Sequence, residues 1–262
     1  LSIRLLDIHH GHNFRDLGGY RTQDGYTLRA HKLIRSGRLN ELSERDLQYL
    51  ADYGLRVDVD FRSPKERENA PDRLPAGVTY DFDPVLETDE TKVSQEATEL
   101  RATFATDPLA GFKNMLNVYA NLVNQTHAQA AYRRFFDQLL ANDAPDAALL
   151  FHCTAGKDRT GMGAVYVLSA LGVDPLTIRR DYLASNQSLA AQRLKNLDAV
   201  RANGGSDELL ASTRSLGRVA DEYLDVALLA INREFGGMAQ YLRDVLQLTR
   251  DQQRDLRRLY LE

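Results

Sequence analysis

Residues 147–151 (Ala-Ala-Leu-Leu-Phe) are a short apolar run, and residues 160–171 (TGMGAVYVLSAL) are a longer one that stops at Gly172. The polar stretch His152-Cys153-Thr154-Ala155-Gly156-Lys157-Asp158-Arg159-Thr160 joins them. The first run has the length of a buried strand, and the second has the length of a buried helix. A strand and a helix that are apolar all round must be covered on both sides. The junction therefore predicts an α/β fold, a central sheet flanked by helices.

The same junction is built for an anion. A helix N-terminus presents unpaired N–H groups and a partial positive charge. A loop that curls its N–H groups inward makes a nest for phosphate oxygens. Gly156 permits the tight path, and the Arg159 guanidinium can grip two oxygens with its planar fork. Such a setting also suits a nucleophilic thiolate. Helix N-termini and nearby cations lower a thiol from a pKa of about 8.5 to roughly 3.5–7.5. Cys153 sits there, with Lys157 and Arg159 close by and Thr160 able to donate a hydrogen bond to the sulfur. The plainer reading of a lone cysteine is a small buried hydrophobe.

The rest of the chain reads as one domain, 1–262, without repeats or low-complexity linkers. Residues 20–36 read as a hairpin with its turn at Asp24-Gly25. Ser43 reads as an N-cap before Leu47, Leu50 and Ala51 at helical spacing, with Gly54 as the stop. Leu55, Val57, Val59 and Phe61 alternate with Arg56, Asp58 and Asp60, which is a strand of period two. Ser63-Pro64 opens a short helix, and residues 78–82 read as another strand. Residues 87–107 are acid-rich; helices follow at 112–123 and 129–141. From about Pro175 onward the chain reads as almost wholly helical.

At this point the sequence resembles a family. His-Cys-x5-Arg-Thr is the signature loop of cysteine-dependent tyrosine and dual-specificity phosphatases. The form in 152–161 is similar to that of a bacterial subfamily of atypical tyrosine/serine phosphatases, some active on phosphoinositides. Asn13-Phe14-Arg15-Asp16-Leu17-Gly18-Gly19 and Asp60-Phe61-Arg62-Ser63 resemble two further segments of that subfamily, with Phe61 replacing its usual Leu. The resemblance covers about the first two thirds of the chain. It implies hydrolysis of a phosphate monoester through a phosphocysteine on Cys153, with Arg159 and the loop N–H groups of Thr154, Ala155, Gly156, Lys157 and Thr160 holding the phosphate. It implies no metal and no cofactor. The partner is then a phosphorylated protein or a phosphoinositide.

The resemblance places the general acid in the loop, at Asp158. The plainer reading pairs Asp158 with a neighbouring cation. Asp83, before Pro84 on a loop after a strand, is the alternative acid. Asp60 ends a strand, where substrate contacts often lie; its other reading is a partner for an arginine. His152, Arg15 and Asp16 are expected to support the loop. Residues 87–124 are a candidate helical lid, and the acid-rich part is not expected to line a phosphate pocket. His9, His10 and His12 lack metal spacing and are expected at a mobile end.

A net charge of −4 and a pI near 5.9 argue against nucleic acid as partner. No apolar run reaches the roughly 18 residues of a membrane span. One cysteine excludes an internal disulfide. The chain shows no secretory signal, but it starts at Leu1 and not Met, which leaves cytoplasmic and exported locations both open. Two other functions remain open on these residues: a phosphate-binding module with little turnover, and a rhodanese-like sulfurtransferase.

Overall fold

The computed structural model describes residues 3–262. One six-stranded sheet comprises β1 (Arg4–Leu5), β2 (Arg15–Asp16), β3 (Leu33–Ser36), β4 (Leu55–Asp60), β5 (Thr79–Phe82) and β6 (Ala148–His152), in the spatial order β1-β2-β3-β6-β4-β5. From β3 to β5 the neighbours are parallel, while β1 and β2 form an antiparallel edge. β6 is central and buried throughout, as an apolar run between two parallel partners should be.

Helices cover both faces. Leu149 and Phe151 join the larger core with α4 (Ala110–Asn124), α5 (Thr126–Ala141) and α6 (Arg159–Leu171). Ala148 and Leu150 face a smaller core with Leu39, Leu42 and Leu50 of α1 (Glu44–Tyr53). Each such side chain, fully buried, contributes about 1.5–3 kcal/mol. In β4 the register against β6 shifts between Leu55 and Val57. Leu55 therefore joins the smaller core and Val59 the larger, leaving Asp58 and Asp60 buried opposite Leu150 and His152.

α1 forms where its caps place it. Ser43 accepts from the Asp46 N–H, Asp46 answers with its carboxylate, and Gly54 ends the helix in the left-handed region. Ser63 and Glu66 make the same reciprocal cap on α2 (Pro64–Asn69). The acid-rich stretch contains α3 (Ala97–Phe104). After α6 come α7 (Pro175–Ser188), α8 (Ala190–Ala202), α9 (Asp207–Gly217), α10 (Asp221–Phe235), α11 (Met238–Gln240), a π-turn at Tyr241–Val245 and α12 (Arg250–Tyr260). The larger core takes in residues from Leu17 to Leu261. Among the described residues no helix is long and apolar enough to cross a membrane.

Two expectations change. The hairpin is confined to about residues 19–28, closed by the Arg21–Thr27 bridge around Gly25. Leu33–Ser36 leaves it, because pairing with β2 and β6 buries all four of its residues. The histidine-bearing N-terminal segment is tied down, since the His9 and His10 N–H groups donate to the Asp46 carboxylate.

The parallel register aligns Ser36, Asp60, Phe82 and His152 at one edge. The segments that follow these four residues therefore meet there, at the carboxyl ends of the strands.

Candidate active site

Cys153 follows β6 directly, and the loop from it to Asp158 ends at the N-terminus of α6. Gly156 has φ +69°, and a Cβ there would lie 2.2 Å from the Ser36 carbonyl oxygen, so glycine alone fits. Two side chains brace that turn. The Gly156 carbonyl accepts from Asn13 Nδ2 at 2.9 Å and from Arg35 Nη2 at 2.8 Å. Arg15 and Arg35 both grip the buried Asp181, and Arg15 also donates to the Asn13 side chain. Burial works against the charge on Asp181, but the two guanidinium groups outweigh it and hold its carboxyl at about 2.

Arg159 is buried and forked onto Glu66: Nη1 to Oε2 is 2.6 Å and Nη2 to Oε1 is 2.8 Å. Thr154 Oγ1 donates to the same carboxylate at 2.5 Å. Burial penalises the Glu66 charge, yet Arg159, Thr154 and the Ser63 N–H together hold its carboxyl well below the usual range. Arg159 Nε and Thr160 Oγ1 are buried and lack partners in the structure. Buried donors without partners are rare and call for an explanation. A phosphate oxygen on Nε, and the Cys153 sulfur on Thr160, would supply it.

Asp158 is also buried. It accepts from the Tyr119 hydroxyl at 2.9 Å and from Lys157 Nζ at 2.6 Å. Lys157 is thus turned inward onto Asp158, away from solvent. Tyr182 in turn donates to the Tyr119 hydroxyl at 2.9 Å. Asp83 lies at the same sheet edge, but its carboxylate turns to Arg134 on α5 at 2.8 Å. Burial, only partly offset by Arg134, pushes the Asp83 carboxyl up to about 7.

Asp60 is fully buried and accepts from Arg62 and from the Tyr80 hydroxyl. Of its two readings, these contacts are those of the arginine partner. Asp16 also falls away from the loop. It accepts from the N–H groups of Gly18 and His31 and from Tyr53, and so orders residues 16–31. The acid-rich segment does approach the site, with Asp89 Oδ1 3.9 Å from Arg159 Nη2. Glu66 and Asp89 line one cavity of about 390 Å³. Thr154 and Ala155 line another of about 410 Å³ with Arg38 and Lys92. Among the described residues, Asp58, Asp72 and His152 are grouped closely enough to hold a cation. Arg62 Nη2 already lies 2.9 Å from the Asp72 oxygen that would face it, so the arrangement fits protons better than a metal.

Sequence reasoning missed Glu66, Arg35, Asp181, Asp72 and Tyr119, and gave Asn13 no role beyond its place in the segment 13–19. Glu66 left a further local trace, in the Ser63-x-x-Glu66 cap.

Known proteins match this arrangement along its length. The chain is 36% identical over 238 residues to a Cupriavidus necator protein named for a presumptive tyrosine-protein phosphatase activity, covering 90% of this chain and 82% of that one. It is 28% identical over 220 residues to a tyrosine-protein phosphatase of Nostoc commune, covering 82% and 70%. It is 29% identical over 259 residues to the triple specificity protein phosphatase PtpB of Mycobacterium tuberculosis, covering 88% and 90%. The model of the tyrosine phosphatase family matches residues 6–262, so the likeness extends through the helical tail and not only the first two thirds. The chain belongs to the tyrosine phosphatase family.

Proposed function

We propose that this protein hydrolyses phosphotyrosine in proteins, with Cys153 as nucleophile, Arg159 and the loop N–H groups as the phosphate site, and Asp158 as general acid. The observation that carries this reading is the buried, partnerless Arg159 Nε behind a loop that only glycine at 156 allows. The Cys153 thiolate attacks phosphorus, and the ester oxygen leaves with a proton from Asp158. Water, deprotonated by Asp158, then attacks the phosphocysteine and releases phosphate and the thiolate. The accumulating negative charge falls on Arg159 and the helix N-terminus. Residues 87–124 act as a cover, with Asp89 and Tyr119 reaching the site from it.

The acid assignment has a direct test. Asp158→Asn is expected to lower kcat about 10²-fold on alkyl phosphates and far less on nitrophenyl phosphate, whose leaving group needs no proton. Asp83→Asn is expected to leave that difference unchanged, although a carboxyl near 7 would suit an acid at neutral pH, because its carboxylate is held by Arg134. The opposite pattern would move the acid to Asp83.

The relative named for triple specificity supports a substrate range wider than phosphotyrosine; phosphoserine and phosphoinositides are the classes that the resemblance of the loop implies. A panel of phosphotyrosine and phosphoserine peptides and phosphoinositide vesicles tests it, with the highest kcat/KM expected on phosphotyrosine. Lys157 separates two origins of breadth. Buried against Asp158, it acts on the acid, so Lys157→Ala should lower kcat by roughly the same factor, about tenfold, on every substrate. A rise in KM confined to phosphoinositides would show Lys157 leaving Asp158 to read a second phosphate.

A further inference from the structure

Directly behind the nucleophile lies a buried group that the proposed reaction does not use. His152 Nδ1 is 3.1 Å from the Cys153 carbonyl oxygen, so it must donate there. Nε2 faces only carboxylates: Asp72 Oδ2 at 3.0 Å, Asp58 Oδ1 at 3.5 Å and Asp60 Oδ1 at 3.6 Å. Its alignment with each falls short of a full hydrogen bond, but the nearest, Asp72 Oδ2, already accepts from Arg62 and can only accept again, so Nε2 carries a proton. With both nitrogens bearing protons, the ring is an imidazolium.

The surrounding charges agree. Asp58 and Asp60 come from β4, Arg62 follows that strand, and Asp72 comes from the segment after α2. Tyr80 of β5 donates to Asp60. Asp60 is saturated by Arg62 and Tyr80. Asp72 accepts from Arg62 Nη2 at 2.9 Å on one oxygen and from the Leu39 N–H at 3.1 Å on the other. Asp58 differs: both its oxygens are buried and neither receives a hydrogen bond. Burial first, then the neighbouring carboxylates, push its carboxyl far up against the pull of His152 and Arg62, which makes it the carboxyl of the cluster that takes a proton most readily. Two ionised carboxylates then balance Arg62 and the imidazolium, and a buried cluster without net charge avoids the cost of an isolated ion.

We propose that Asp72 is a positioning residue for catalysis: it keeps His152 charged behind Cys153, so that the ring both orients the Cys153 carbonyl and stabilises negative charge on the sulfur. The proposal rests on Cys153 being the nucleophile. Asp58 serves only as the carrier of a proton. Burial alone would lower the basicity of the histidine, but the surrounding carboxylates, Asp72 first, outweigh it and push the ring up to about 10. The ring therefore stays charged throughout the neutral range.

The test measures the rate of Cys153 alkylation by iodoacetamide against pH, beside kcat and KM on an aryl phosphate. Cys153 is the only cysteine, so the alkylation signal is unambiguous and does not depend on turnover. Asp72→Asn is expected to move the midpoint of the alkylation profile up by about one unit, as loss of a nearby cation does. It should lower kcat about tenfold with little change in KM. Asp72→Glu is expected to restore much of both. Asp58→Asn, an isostere of the neutral acid, should leave the alkylation profile in place. An unmoved profile in folded Asp72→Asn overturns the proposal, as does an equal shift in Asp58→Asn. If Asp72→Asn fails to fold, the Asp72→Glu and Asp58→Asn profiles decide: a shift in Asp58→Asn, or a Glu variant that leaves wild-type behaviour for that of a neutral ring, overturns it. If wild-type turnover survives Cys153→Ser, the phosphatase reading fails on its own, whatever the alkylation shows.

Discussion

Cys153→Ser is expected to lower kcat on an aryl phosphate by at least about 10³-fold, some 4 kcal/mol of transition-state stabilisation, while oxyanion binding survives. A serine hydroxyl attacks poorly unless a base removes its proton. No such base is at hand. The Nδ1 of His152 is committed to the Cys153 carbonyl, and Asp158, as the proposed general acid, still carries its proton when the nucleophile attacks. The phosphate site does not depend on the sulfur, because Glu66, Asn13 and Arg35 hold the loop from outside. Calorimetry with sulfate, an oxyanion that forms no bond to the sulfur, should therefore give an affinity close to that of the wild type. Residual hydrolysis of more than a few per cent would rule out the covalent route.

Arg159→Lys should come close to that loss, with kcat/KM falling on the order of 10²–10³-fold although the charge is kept. The guanidinium does two things at once in this structure. Its two terminal nitrogens hold Glu66, and its buried Nε is left for the substrate. One ammonium cannot reproduce both sets of directions. A lysine that reaches Glu66 leaves the phosphate unheld, and one that turns to the phosphate leaves a buried carboxylate bare beside a dianion. Steady-state kinetics decide the point: a variant keeping more than a third of wild-type kcat would mean that Arg159 serves only as a diffuse charge.

What could be read from the sequence was what its local chemistry encodes. The strand, loop and helix around Cys153 are contiguous, so their apolar runs and the single permissive glycine announce them. α1 is similarly legible from Ser43 and Gly54. The hairpin is shorter than residues 20–36 suggest because the partner that takes Leu33–Ser36 is β6, far along the chain and parallel, and nothing in residues 20–36 encodes it. The braces of the site share that property. Glu66 meets Arg159 across 93 residues, and Arg15 meets Asp181 across 166. Their side chains look like ordinary surface charges until the fold buries them. Glu66 is the instructive case: its capping role was readable, but the same carboxylate also holds Arg159.

The brace on Gly156 has a consequence for when the protein becomes competent. Asn13 reaches it across 143 residues, and Asp181, which steadies Arg15 and Arg35, lies downstream of the loop. Closing contacts of such separation is slow compared with forming helices or turns. During synthesis the nucleophile would leave the ribosome well before α7 exists to tie down the N-terminal arginines. The nascent chain thus carries its cysteine in a loop that cannot yet cradle a phosphate. On the proposed reading, competence waits for α7, and a single nick that frees α7 is expected to abolish activity while leaving the sequence of the loop intact.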